Sequence, residues 1–355
     1  MNRLLIFCLF LIISFSSYAQ ILTGKVYDTD TKKPLQDVDV YFDGTSIHTT
    51  TDKEGVFKIP IYTLMTTNLI ISHLSYELAV FPSPFNEIPE IIYLKKEYQR
   101  LSEVTVLPDI FSRKEKLAIF RKYFLGKDKA GKACKIINED DIHIYYDESE
   151  KELKAVSDKP LIIENNYLGY RVVFDIQEFT LKFSWKNTLN EKFLKWSYLS
   201  GKSMFSNFET INDKIEKRRK EAYMSSTNYF YKNLVENGLK GTKYELFRNG
   251  LPISSEKCFI IKDTLSMKML EIIPNDLIAE ERIDLSSFKV KQPYLRVTVL
   301  LDQHGRQQSD IVFNADKILV DAFGNTTQFD KIIYSGLWGG QKVGCMLPLD
   351  YRLEE

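Results

Sequence analysis

Apolar and polar residues alternate in short runs along the first quarter of the chain. Leu22-Thr23-Gly24-Lys25-Val26 repeats with period two, as a half-buried strand does. Val38, Val40 and Phe42 share one face of the next run, with Asp39 and Tyr41 on the other. Asp43-Gly44 follows as a hairpin signal, because both positions tolerate positive φ. Ile47 to Thr51, Phe57 with Ile59, Leu69 to His73 and Ile91 to Leu94 continue the series, separated by turns such as Thr51-Asp52-Lys53-Glu54-Gly55. About seven short strands at this spacing predict a small antiparallel sandwich. Asp28 and Asp30 invite a calcium loop, but Lys32 holds the next ligand position and no glycine follows where one is needed. An Asx turn is expected there instead.

Further on the period changes. Ser112-Arg113-Lys114-Glu115 fits a capping box, Leu117, Phe120 and Phe124 fall on one helical face, and Gly126 ends the helix. A second helical pattern runs over 212–238, with Tyr223, Thr227, Phe230 and Leu234 on one face. Its basic run, Lys214 to Lys220, is interrupted by Glu216 and followed by Glu221, so it reads as a salt-bridged surface. Strand patterns occupy Ile142 to Tyr146, Leu161 to Ile163, Tyr170 to Phe174, Phe179 to Phe183 and Phe193 to Tyr198. They return at Tyr244 to Phe247, Phe259 to Ile261, Tyr294 to Leu301, Ser309 to Phe313 and Ile318 to Val320. The expected fold is mainly β: a seven-stranded sandwich, then a larger β-rich α+β domain with two main helical segments.

Met1-Asn2-Arg3 is followed by an uncharged run from Leu4 to Phe15 and then Ser17-Tyr18-Ala19. This predicts a secretory signal cleaved after Ala19. The run is short of the ~20 residues that span a bilayer, so no transmembrane segment is expected after cleavage. Cys8 lies inside the run, which does not indicate a lipoprotein. The expected location is the periplasm or outer membrane, with the cell surface and the medium left open. Lys plus Arg and Asp plus Glu each number 48. That balance leaves no global field to attract nucleic acid. Cys134, Cys258 and Cys345 match no zinc spacing and read as isolated buried thiols rather than a disulfide pair.

The succession Gly24-Lys25-Val26-Tyr27-Asp28, Lys33-Pro34-Leu35, Val38 to Phe42 and Thr51 to Phe57 resembles the carboxypeptidase-like regulatory domain. That resemblance implies a transthyretin/Ig-like, carbohydrate-binding-like β-sandwich, and a glycine is expected in the family where Ser75 stands. Leu101-Ser102-Glu103-Val104-Thr105-Val106 looks like the segment that follows this module in TonB-dependent receptors. The roughly 250 residues that remain are too few for a plug and a 22-stranded barrel, so the module is expected on a different body. The expected division is a signal over 1–19, the sandwich over 20–98, a linking strand over 99–110 and the body over 111–355. Arg219 to Phe230 and Ser335 to Tyr351 are similar to the bodies of other exported regulatory-domain proteins.

A zinc carboxypeptidase needs a His-x-x-Glu pair, but the residues three places after His48, His73, His143 and His304 are Thr51, Tyr76, Tyr146 and Gln307. Gly201-Lys202-Ser203 lacks the upstream glycine of a phosphate loop, since Trp196 stands there. No catalytic residue, metal ligand or cofactor site is expected. The candidate binding residues are Trp338, flanked by glycines, and Tyr351, as a sugar-stacking platform set against the alternative of core residues in a tight turn. The expected function is that of a non-enzymatic exported envelope protein that binds an outer-membrane protein complex or an envelope glycan. A peptide or glycan hydrolase with its site in the second domain is the alternative.

Overall fold

The computed structural model describes residues 20–61, 66–82, 88–97, 110–264, 267–274, 295–302 and 306–353. Residues 1–19, where the signal is expected, Leu101 to Val106 and His304 lie outside these. The fold is mainly β.

The sandwich is built from β1 (Gln20–Asp28), β2 (Asp39–Phe42), β3 (His48–Thr50), β4 (Val56–Ile61), β5 (Leu69–Ser72), β6 (Ala79–Phe81) and β7 (Ile91–Leu94). One sheet has the order β4-β1-β7, the other β3-β2-β5-β6. β7 runs parallel to β1, a crossover that leaves β7 on an edge. Val26, Val40, Phe42, Phe57, Ile59, Leu69, Ile71 and Ile92 close the core between the sheets. The turn after β1 is the expected Asx turn: Asp28 Oδ1 accepts from the amides of Asp30 (2.8 Å) and Thr31 (2.7 Å), and Oδ2 accepts from the Tyr76 hydroxyl (2.6 Å). These donors hold the Asp28 carboxyl well below the usual carboxylate range, and the hydrogen bond to that carboxylate pushes the Tyr76 hydroxyl up to about 12.

Helix α1 (Arg113–Phe124) has the predicted capping box, with Ser112 Oγ accepting from the Glu115 amide and Glu115 Oε2 from the Ser112 amide. A short helix α2 (Lys129–Lys132) leads into a six-stranded sheet. Its strands are β8 (Cys134–Ile136), β9 (Ile142–Asp147), β10 (Glu152–Ser157), β11 (Leu161–Asn165), β12 (Tyr170–Phe183) and β13 (Leu194–Asn207). β12 bonds to β11 along its first half and β10 along its second, while β13 covers its other side throughout. Two predicted strands are thus one. Tyr170, Val172 and Phe174 face the core on even numbers, whereas Phe179, Leu181 and Phe183 face it on odd ones. A bulge between Ile176 and Glu178 absorbs the change of phase. Phe120 and Phe124 of α1 pack on Phe179 and Phe174 of that inner face, ring centroids 4.7 and 5.2 Å apart.

The remaining elements surround another apolar cluster. They are α3 (Asp213–Met224), α4 (Thr227–Asn237), β14 (Tyr244–Arg248), β15 (Leu251–Pro252), β16 (Phe259–Thr264), β17 (Met267–Ile272), β18 (Leu295–Asp302), β19 (Arg306–Phe313), β20 (Lys317–Val320), β21 (Ile332–Ser335) and α5 (Gly336–Gly340). The sheets have the orders β15-β14-β18-β19-β21 and β16-β17-β20. The single helix expected over 212–238 is two, because Ser226 Oγ accepts from the Tyr229 amide (3.1 Å) and starts a new helix. Within the basic run Arg219 turns inward: its guanidinium donates to the carbonyls of Leu168 (2.7 Å) and Gly169 (2.9 Å) and lies over Tyr170. A solvated face would not have required it.

The sandwich is docked by the Asp43-Gly44 turn. Gly44 N donates to Ser203 O (2.7 Å) and Phe205 N to Thr45 O (2.9 Å), while Asp43 Oδ1 accepts from Ser203 N (2.8 Å). Asp350 accepts from Ser46 through both oxygens, and Phe323 is buried within the sandwich core. Asp321, itself buried, accepts from the Thr66 amide and from Phe323 and Asn325. Main-chain bonds, a clasped carboxylate and an inserted ring make this a fixed junction. Among the described residues no helix is long and apolar enough to cross a membrane.

Candidate binding face

The outer face of the six-stranded sheet is where aromatic side chains meet solvent. Register places Tyr145, Lys154, Thr180 and Tyr198 in one row across β9, β10, β12 and β13, and Asp147, Glu152, Lys182 and Trp196 in the next. Trp196 is 46% exposed, Tyr198 49% and Tyr145 43%. The loop joining β12 to β13 adds Trp185, 65% exposed, whose ring meets that of Phe193 at 5.9 Å. Two of the three tryptophans therefore project from one hairpin. Lys182 Nζ lies 3.2 Å from Glu152 and 3.4 Å from Glu150, and Lys154 Nζ lies 3.0 Å from Glu152. The result is a surface on which partly exposed rings stand beside paired ammonium and carboxylate groups.

The two residues singled out from the sequence lie elsewhere. Trp338 sits in α5, 6% exposed, with its indole N–H donating to Ser225 O (2.7 Å) and its rings against Phe230, Tyr244 and Tyr334. The neighbouring rings cover the indole, so it packs as core. Tyr351 is half-buried with its ring 5.3 Å from Tyr223. Tyr223, Tyr229 and Tyr244 link the two into one aromatic seam. The exposed tryptophans were missed because Leu194, Trp196 and Tyr198 alternate with Lys195 and Ser197, and that pattern does not say which side of a strand meets water. Only the register does.

Elsewhere a cleft of about 550 Å³ lies between Asp128 and Lys129, the end of α3 with Arg218, Ala222 and the capping Ser225, and Gly336 to Gln341. Cys345 Sγ donates there to Asp128 Oδ2 (2.8 Å). Burial, reinforced by that carboxylate, pushes the Cys345 thiol well up, and burial raises Cys134 to about 12. Neither is a thiolate at neutral pH. Among the described residues Cys134, Cys258 and Cys345 are all free. His143 Nε2 lies 2.7 Å from Asp158 Oδ2, an exposed pair on the sheet rim. Among the described residues no group of three or more His, Cys, Asp or Glu is placed to hold a metal ion.

The architecture is that of a β-sandwich module fixed to a β-rich body with an exposed aromatic face. Residues 22–106 match the family model of the CarboxypepD_reg-like domain, and the N-terminal sandwich is such a domain. No curated protein matches the chain. Among solved structures, a 9R-lipoxygenase from Cyanothece PCC8801 aligns over 92% of this chain at 11% identity with a TM-score of 0.18. The chain spans 43% of that enzyme, and a likeness of this size carries no argument.

Proposed function

We propose that the protein is a non-enzymatic, exported protein of the cell envelope that works by binding, and that it holds an envelope glycan on the outer face of the six-stranded sheet. The observation that carries this is the exposed pair Trp196 and Tyr198 beside the Lys182, Glu152 and Lys154 network. A pyranose presents an apolar C–H face and a rim of hydroxyls. Ring faces take the first, and ammonium and carboxylate groups take the second. The regulatory-like sandwich supports a binding role, since it does no chemistry of its own. The test is a tryptophan-fluorescence titration with soluble peptidoglycan glycan strands. A Trp196→Ala, Tyr198→Ala double variant should bind at least about tenfold more weakly, the loss of two stacked rings. Equal binding by the double variant, or none by the wild type, ends this reading.

An outer-membrane protein partner is the second reading, favoured by Ile91 and Tyr93, 44% and 50% exposed on the sandwich edge strand β7. Deleting the sandwich is a poor probe, because Phe323 would lose its pocket. The cleaner one is in-cell crosslinking with Ile91→Lys and Tyr93→Lys. Loss of a specific captured barrel protein supports the partner, and unchanged capture removes β7 as its dock.

A further inference from the structure

The edge of β13 carries an observation that the glycan reading does not use. In an antiparallel strand successive residues direct their main-chain groups alternately to one neighbour and to the other. Ser203 O and Phe205 N point away from β12, because they bond to Gly44 N and Thr45 O of the sandwich turn. By alternation Gly201, Leu199 and Ser197 point the same way, and the β12 bulge does not interrupt β13 between these positions. β13 pairs with β12 alone among the strands, and among the described residues these three have no main-chain partner on the outward side. Lys195 and the register shift between Leu194 and Trp196 guard the tip, but from Trp196 to Gly201 there is no proline and no charged residue.

We infer that this free half of β13 accepts an added strand, an extended and mainly uncharged segment of a partner protein about six residues long. Continuity with the established junction argues for it. Gly44-Thr45 already occupies the next positions of the same edge through two main-chain bonds, in a parallel bridge between Thr45 and Met204. The edge therefore takes the backbone of another element in bonding geometry at its root, and the same line of donors and acceptors continues towards the tip with no such partner among the described residues. Apolar side chains at alternate positions of the segment would lie along Trp196 and Tyr198. Specificity comes from those contacts, which the strand would share with the glycan face, and affinity from the main-chain edge, which the glycan reading does not use.

The experiment is hydrogen exchange resolved to single amides in the full chain, with and without an acetylated octapeptide alternating threonine and valine and carrying two terminal lysines. In the free protein the amides of Ser197, Leu199 and Gly201 should exchange fast. Saturating peptide should slow them by at least about tenfold, leaving Tyr198 and Ser200 little changed because those already bond to β12. A peptide N-methylated at alternate amides should have no such effect, and neither should the wild-type peptide on Ser197→Pro, where the lost N–H is one the ladder does not use. Slow exchange at the three amides in the free protein would overturn the inference, the edge then being filled by a second copy if protection grows with concentration or by this chain if it does not. Absence of slowing up to millimolar peptide, or equal slowing by the N-methylated peptide, would overturn it as well.

Discussion

β13 has two fates along one strand. At its root, Ser203 and Phe205 are buried, Lys202 is held near Asp43 at 3.6 Å, and the outward Ser203 N, Ser203 O and Phe205 N all bond to the sandwich turn. Towards its tip, Trp196 and Tyr198 stand half in solvent and the outward groups of Ser197, Leu199 and Gly201 have none among the described residues. Nothing in local propensity separates the halves, since both are aromatic and alternating. The difference is tertiary: a Gly-containing turn arrives at one end and not at the other. The root is a structural joint and the tip a surface kept for something else.

Changes at the root should therefore cost stability, and the largest cost is expected for Phe323→Ala. The ring is 4% exposed in the sandwich core, and its removal should lower unfolding stability by about 3–5 kcal/mol, read by denaturant titration. A loss below about 1 kcal/mol would mean that the pocket collapses or that the junction is loose. Next comes Gly44→Ala. Gly44 has φ +75°, and a Cβ there would sit 2.7 Å from Leu349 Cδ1. The strained backbone alone should cost about 1–3 kcal/mol, with faster proteolysis of the released sandwich. At the tip the same measurement should give almost nothing. Trp196→Ala and Tyr198→Ala should each change stability by about 0.5 kcal/mol or less while weakening glycan binding. A large destabilisation would place them in the core and erase the contrast.

Much of the sandwich is legible from sequence because its strands are short and each is closed by a turn of recognisable chemistry: the Asx turn at Asp28, the Asp43-Gly44 hairpin, the turn at Gly55. The α1 capping box is local for the same reason. The body is less legible where one element hides a discontinuity. The phase change at Gln177 looks like a gap between strands, whereas a bulge carries it through; Ser225-Ser226 looks like mid-helix, whereas Ser226 caps a new helix. Trp338 illustrates the limit for sites. Its glycine neighbours fit either a stacking platform or a core residue in a tight turn, and it is α5 that turns the indole onto Phe230 and Tyr244. Trp196 has no such flanking signal, and only its pairing with Lys182 shows that it faces water.

The smallest effect is electrostatic, and root and tip should differ in its sign. Burial raises the Asp43 and Asp175 carboxyls at the root above their ordinary 3.8. The folded chain holds those protons more tightly, so their contribution favours folding below that value and is lost as pH rises through the raised ones. Glu191, in the loop before β13, is pulled down from 4.5 to about 2 by Lys122 and Lys127, with Tyr123 adding a hydrogen bond. Its contribution is present above 4.5 and is lost as pH falls through about 2. Because the carboxylate is a third exposed and its lysines half exposed, Glu191→Gln should cost at most about 1 kcal/mol at neutral pH. Melting curves of both proteins between pH 7 and about 2 should converge as the carboxylate protonates. A gap that stays constant down to the lowest pH would show that Glu191 acts through packing and not through charge, and would leave the tip electrostatically neutral while the root alone responds to acid.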